Sequence, residues 1–314
     1  MATVEVRALH SGSRLERVLA SGEFALTAEI APPASADAAA IRAQAAAYRG
    51  LVDACNVTDG ARALVRMSSL AAASILVQEG VEPVLQLASR DRNRIALQAD
   101  LLGAAALGIR NVLCLAGDPP AAGGEPGAKG VFDWRTEEMI EAFRTLRDKG
   151  VLSGGEPVES PPKVFLGATA DPFQDSREES FSRLRAKVLA GADFIQTQAV
   201  FDLEAFEEWM RLVRKEWLHE KAYILAGVIP LKSSKMARFL ADYLGASIPR
   251  GIFDRMEKAP HPQTEGVSIA VRTIKALRKI EGVRGVHLMP VGWDDVLPAL
   301  AKEAGLTPRP DVPD

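Results

Sequence analysis

Short, almost wholly apolar runs alternate along this chain with longer stretches in which apolar residues recur every three or four positions. The runs are FALTAEI at 24–30, VDACNV at 52–57, PVLQLA at 83–88, NVLCL at 111–115, KVFLGAT at 163–169, DFIQT at 193–197, YILAGVI at 223–229 and VHLM at 286–289. Continuous apolar runs of this kind predict strands buried on both faces of a parallel sheet. The periodic stretches predict helices over residues 13–19, 37–50, 64–79, 95–108, 136–149, 176–191, 202–213, 236–243, 267–277 and 294–303, with an irregular piece between 243 and 267. Gly50, Gly108, Gly150 and Gly191 stand where helices favour a left-handed stop, and Ser176 with Glu179 has the spacing of a capping box.

Eight strands alternating with helices at intervals of roughly 25 to 35 residues predict a single-domain α/β fold, a (β/α)8 TIM barrel. The expected division is an N-terminal helical segment at 1–22, the barrel at 23–290, and a C-terminal helix and tail at 291–314. A doubly wound open sheet is the alternative, but no G-x-G-x-x-G follows the first strand. The loop GDPPAAGGEPGAKGVFDW at 117–134 is too long for an ordinary connection, which marks it as a lid, a binding loop or a disordered segment.

Composition narrows the function classes. The 314 residues carry a net charge of −3 and no basic block interleaved with aromatics, so nucleic acid is not an expected partner. Cys55 and Cys114 sit in apolar strand contexts, and with His10, His219, His261 and His287 they form no metal-ligand spacing, so no metal is expected. Residues 1–13 lack an apolar signal core, and no apolar run approaches the roughly 20 residues that span a bilayer. The expectation is a cytoplasmic protein that does not engage a membrane.

In a parallel barrel, ligands collect at the carboxyl ends of the strands. That rule collects Glu29, Thr58, Arg90, Asp91, Asp118, Thr169, Gln198 and Pro230 around one mouth. Glu29 and Asp118, each closely followed by a Pro-Pro pair, are expected to face each other there, and two carboxylates in one pocket suit proton transfer and stabilisation of a cation. The plainer role for Asp118 is a turn cap. Gln198 can read the edge of a heterocycle or satisfy loop backbone. Lys187 is either a solvated helix residue or a ligand contact. The segment Arg90–Arg94 is a phosphate cradle at a helix start or a cap with internal ion pairs.

These residues together resemble the methylenetetrahydrofolate reductase family, FAD-linked barrel oxidoreductases of one-carbon metabolism, in their short bacterial form. The resemblance rests on E-x-x-P-P at 29–33, VTDGA at 57–61, GDPP at 117–120, K-V-x-A-G-A at 187–192 running into Thr197-Gln198, Phe201-Asp202, and GVIP at 227–230. It implies reduction of 5,10-methylenetetrahydrofolate to 5-methyltetrahydrofolate by hydride from reduced FAD, with NAD(P)H as electron donor. Glu29 matches the general acid and Asp118 the carboxylate that stabilises the iminium intermediate. Gln198 and Phe201 match folate-binding positions; Thr58, Arg90, Gly117, Asp118, Thr169 and Lys187 match flavin-binding ones. A homo-oligomer and an electron-delivering partner subunit are also implied. Asp59, Gln86 and Ala116 depart from the Tyr, His and Arg that many relatives carry. Those departures keep two other readings open: a folate-binding or electron-accepting subunit of a larger complex, and a flavin-independent reductase. A proline dehydrogenase-like barrel is disfavoured by Glu29, Asp118 and Gln198, a set that suits a pterin better than an amino acid.

Overall fold

The protein is described by a computed structural model covering residues 9–125, 127–174 and 176–313; residues 1–8, the start of the expected N-terminal segment, lie outside the described residues. Eight strands form a closed, all-parallel barrel in sequence order. They are β1 (Ala25–Ile30), β2 (Ala54–Val57), β3 (Pro83–Ala88), β4 (Asn111–Leu115), β5 (Phe165–Ala170), β6 (Phe194–Ala199), β7 (Tyr223–Val228) and β8 (Val283–Leu288). Closure comes from β1 against β8, with Leu26 opposite Val286 and Thr27 opposite His287.

Side-chain alternation divides each strand between two environments. From β1, Leu26, Ala28 and Ile30 join the large apolar cluster that unites the outer sheet face with the helices. The alternate residues Ala25, Ala54, Val84, Leu113, Phe165, Phe194 and Leu225 form a second cluster inside the barrel, joined by Leu15, Val18 and Leu19 of the helix Arg14–Ala20. That first helix therefore plugs the amino-terminal end. Gly167 is required within this layer: a Cβ there would collide with the Phe194 ring, which stacks on Phe165 at 5.0 Å between centroids.

Charged residues then seal the plugged end. Glu82 accepts from Arg14 N and Leu15 N at 2.6 and 3.0 Å, supplying the free amides of the first helix, and from the Asn111 amide at 2.9 Å. Asp53, fully buried, accepts from Leu26 N at 2.8 Å and pairs with both Arg14 and Arg309. Arg309 also donates to Phe24 O at 2.8 Å, so the C-terminal tail is strapped across the plug.

Three elements differ from the expected pattern. The third helix starts at Ser69 rather than near 64, because Arg62 and Ala63 adopt positive φ and Ser68 supplies the cap. A nine-residue helix, Arg250–Lys258, occupies the stretch expected to be irregular; it buries Met256 and packs Ile252 and Phe253 against the same apolar cluster, a face little more than one turn long. Strand β8 begins at Val283, three residues earlier than expected, with Gly285 fitted so closely against Ala25 that a Cβ would lie 2.6 Å from its carbonyl oxygen. Among the described residues no helix is long and apolar enough to cross a membrane, and no group of three or more His, Cys, Asp or Glu is placed to hold a metal ion. Cys55 and Cys114 are buried and unpaired, and burial pushes both thiols well above the ordinary range.

Candidate active site at the carboxyl end of the barrel

Glu29 is the penultimate residue of β1, an inward position, with its side chain 27% exposed. Its polar neighbour is His287 of β8, Nε2 3.8 Å from Oε2. Beneath them the barrel interior is polar. Thr27, Asn56, Gln196 and His287, all buried, are joined by hydrogen bonds from four strands. Polar breaks at inward positions of otherwise apolar runs were the signal for this layer; without the register, Asn56, Gln196 and His287 read as isolated polar residues.

Asp118 stands beyond β4, exposed, with Oδ2 accepting from Arg62 N at 2.6 Å on the loop after β2. The turn before it needs glycine: Gly117 has φ +86°, and a Cβ there would lie 3.0 Å from Arg90 Cβ and 3.1 Å from Ala88 Cβ. Across the same opening, Gly123 fits so closely against the Ala63 carbonyl that no side chain could be accommodated. The loops after β2 and β4 are thus in direct contact through Asp118 and Gly123.

Arg90 is buried rather than presented to a ligand. Its guanidinium donates to Asp91 at 2.6 and 2.8 Å, to Gly60 O at 3.0 Å and to Asp118 O at 3.4 Å. The Asp91 carboxyl is held below its usual range chiefly by that bond from Arg90. Next to it, Arg92 bridges Asp59 and Asp100, and Asp59 also accepts from Ser69 Oγ at 3.0 Å and Ala88 N at 2.9 Å. Of the two readings of the Arg90–Arg94 segment, the internally paired cap is the one found. Arg94 completes it by pairing with Asp133 at 2.7 Å.

On the opposite side, Thr169, Lys187 and Gln198 line one cavity of about 180 Å³ together with Asp171 and Arg183. Lys187 Nζ donates to Thr169 O at 2.8 Å, and burial lowers the ammonium below the ordinary lysine range. Gln198 is exposed, carried on a bulge of β6 where the register against β7 shifts. The bulge is held by Thr197, whose hydroxyl donates to Gln198 O at 2.9 Å and accepts from Gly227 N at 3.0 Å. Thr58, just past β2, is buried, and its N–H donates to Ile30 O at 3.1 Å. Phe201 is 7% exposed and packs with Leu231, Ala237, Leu240 and Met256.

The structure therefore divides the sequence candidates into three groups: Glu29 over the polar layer, Asp118 with Arg90 and Gly117 at the β2–β4 loops, and Thr169, Lys187 and Gln198 beside β5 and β6. An FAD needs one continuous groove with free donors for its phosphates. Arg90 borders a cavity of about 310 Å³ and Lys187 the separate one of about 180 Å³, and both cations are engaged with protein acceptors. As placed, this set does not fit a bound FAD.

Comparison with known proteins sets these features in context. A Clostridium thermocellum protein described as binding two copies of 5-methyl-5,6,7,8-tetrahydrofolic acid has the same fold, with a TM-score of 0.65 at 14% identity over 93% of this chain and 98% of its own. Methylenetetrahydrofolate reductase 2 of Schizosaccharomyces pombe is 27% identical over 80% of this chain, which spans 40% of that protein's length. The 5,10-methylenetetrahydrofolate reductase of Pectobacterium carotovorum is 24% identical over 76% of this chain and 74% of its own. The methylenetetrahydrofolate reductase family model matches residues 14–305, from the plugging helix to the last helix of the barrel, and the chain belongs to that family.

Proposed function

We propose that this barrel reduces 5,10-methylenetetrahydrofolate to 5-methyltetrahydrofolate. Glu29 is the general acid: it donates a proton to the folate nitrogen that leaves as the five-membered ring opens, which converts the bridging carbon into an iminium ion. The exposed carboxylate of Asp118, fixed by the Arg62 amide, lies at the rim where its negative charge favours that cation. Gln198, lifted on the β6 bulge, holds the pterin edge through its amide, and Phe201 supports the wall behind it. The observation that carries this reading is Glu29 itself, an inward carboxylate at the mouth with one long contact to a histidine, above a hydrogen-bonded polar layer.

The hydride source has two readings. The family resemblance names FAD reloaded by NAD(P)H. With Arg90 and Lys187 engaged by protein acceptors, the second reading is a reduced nicotinamide that meets the folate directly, without flavin. An absorption spectrum of the purified protein, before and after addition of FAD and then anaerobic NADH, separates them. Flavin bands that bleach support the first; absence of flavin with folate-dependent NADH consumption supports the second. Flavin bands that persist with NADH would instead assign the chain to a complex in which a partner subunit delivers electrons. Failure to bind or turn over any folate would overturn the proposal.

A further inference from the structure

The polar layer below Glu29 has a definite direction of hydrogen bonding. Asn56 and Gln196 form a reciprocal amide pair: Asn56 Nδ2 donates to Gln196 Oε1 at 2.6 Å, and Gln196 Nε2 donates to Asn56 Oδ1 at 3.0 Å. The second Nε2 hydrogen of Gln196 then goes to Thr27 Oγ1 at 3.1 Å. Having accepted there, the Thr27 hydroxyl directs its own hydrogen to His287 Nδ1 at 2.9 Å. Gln196 Nε2 also approaches Nδ1, at 3.5 Å, and an amide nitrogen can face that atom only if it carries a lone pair. Both contacts make Nδ1 an acceptor, so the ring proton belongs on Nε2, the atom that faces Glu29.

We infer that the Asn56–Gln196 amide pair, acting through Thr27, is a tautomer lock that keeps His287 neutral with its Nε2–H aimed at Glu29. The four side chains are positioning residues, and the consequence for catalysis rests on the proposed role of Glu29. A neutral imidazole offers the carboxyl a fixed dipole that anchors it once its proton has left. An imidazolium would instead hold Glu29 as a carboxylate ion pair with no proton to give. Protonating Nδ1 would force the Thr27 hydroxyl to turn away, with no second acceptor given by its partners in the layer, and a buried polar group left unsatisfied in that way is costly. The other ionisable groups whose fields reach this corner are Cys55 of β2, Tyr48 and Asp294. Tyr48 donates to Asp294, and burial holds both the phenol and the Cys55 thiol in their neutral forms, so neither adds a negative charge beside Glu29.

The lock is read directly by long-range proton–nitrogen spectra of the full chain labelled with 15N-histidine. The four histidines give four ring patterns, and His287→Gln assigns one of them. At neutral pH, His287 is expected to show a protonated Nε2 and a bare Nδ1. Gln196→Glu places an acceptor where the amide donates, which reverses the Thr27 hydroxyl, and is expected to move the proton onto Nδ1 with at least a tenfold loss of folate turnover at unchanged KM. Should that buried charge prevent folding, Thr27→Val removes the hydroxyl without adding charge and is expected to give a mixture of tautomers, while Thr27→Ser restores the single pattern. A wild-type His287 protonated on Nδ1, or a pattern indifferent to Gln196→Glu and Thr27→Val, would overturn the lock. If the tautomer follows the variants while wild-type protein turns over no folate, the lock stands and the reductase assignment falls.

Discussion

Asp53, just before β2 at the plugged end of the barrel, and Glu29, near the end of β1 at the mouth, are carboxylates treated in opposite ways. Asp53 is fully buried and accepts from one backbone amide and two arginines, one of them drawn from the C-terminal tail. Glu29 keeps a quarter of its side chain exposed and has one histidine neighbour at 3.8 Å. Desolvating a carboxylate is costly unless donors replace the lost water. The full set of partners around Asp53 makes it a fastener of the fold, whereas the spare acceptor capacity of Glu29 leaves it open to a substrate.

That contrast is tested most severely at Glu29. Glu29→Gln is expected to lower folate turnover by about 10²- to 10⁴-fold, the usual worth of a general acid. Its urea midpoint should stay close to wild type, since no donor is orphaned. Near-normal turnover would remove Glu29 from the chemistry. At the other end, Asp53→Ala leaves Arg309 and Arg14 facing an empty site and is expected to cost about 3–5 kcal/mol of stability, read from urea denaturation. Folate KM should be unchanged in whatever fraction remains folded; a shift in KM without loss of stability would break the division of labour.

Asp118→Asn keeps an acceptor for Arg62 N–H but removes the charge. Turnover with folate is expected to slow about tenfold, about 1.4 kcal/mol in barrier. Equal slowing with an artificial electron acceptor would show that the charge does not act on the folate cation. The smallest effect is expected at Lys187. Burial lowers its folded-state value, so the native protein sheds this proton before the unfolded chain does, and the group's contribution to stability rises with pH between the lowered value and the ordinary lysine value of 10.5. Urea midpoints measured across that window should rise less steeply in Lys187→Met than in wild type.

The barrel was legible because its signal is repeated eight times, and each buried strand announces itself without help from the others. Glu29 and Asp118 were legible for a related reason: strand ends followed by proline fix where the chain leaves the sheet. Arg90 and Lys187 were harder. A charged residue beside a strand end looks the same whether it waits for a phosphate or is already paired, and the difference lies in Gly60, Asp91 and the Thr169 carbonyl, which are brought together by folding. The Thr27–Asn56–Gln196–His287 layer was invisible for a similar reason, since its members come from four strands and acquire meaning through register. The helix Arg250–Lys258 escaped notice because its apolar face, Ile252, Phe253 and Met256, spans little more than one turn.

The half-buried Asp59–Arg92–Asp100 chain also bears on how this sequence can change over generations. By the family resemblance Asp59 stands where an aromatic residue is expected, yet here it accepts from Arg92, Ser69 and the Ala88 amide at once. Replacing it alone with tyrosine would strand the Arg92 guanidinium, so the relatives' residue is separated from this chain by at least two substitutions, the first of them unfavourable. The mouth can drift readily at its exposed rim, but at Asp59 its history is interlocked, and a transplant of the relatives' residue should succeed only when Arg92 is changed with it.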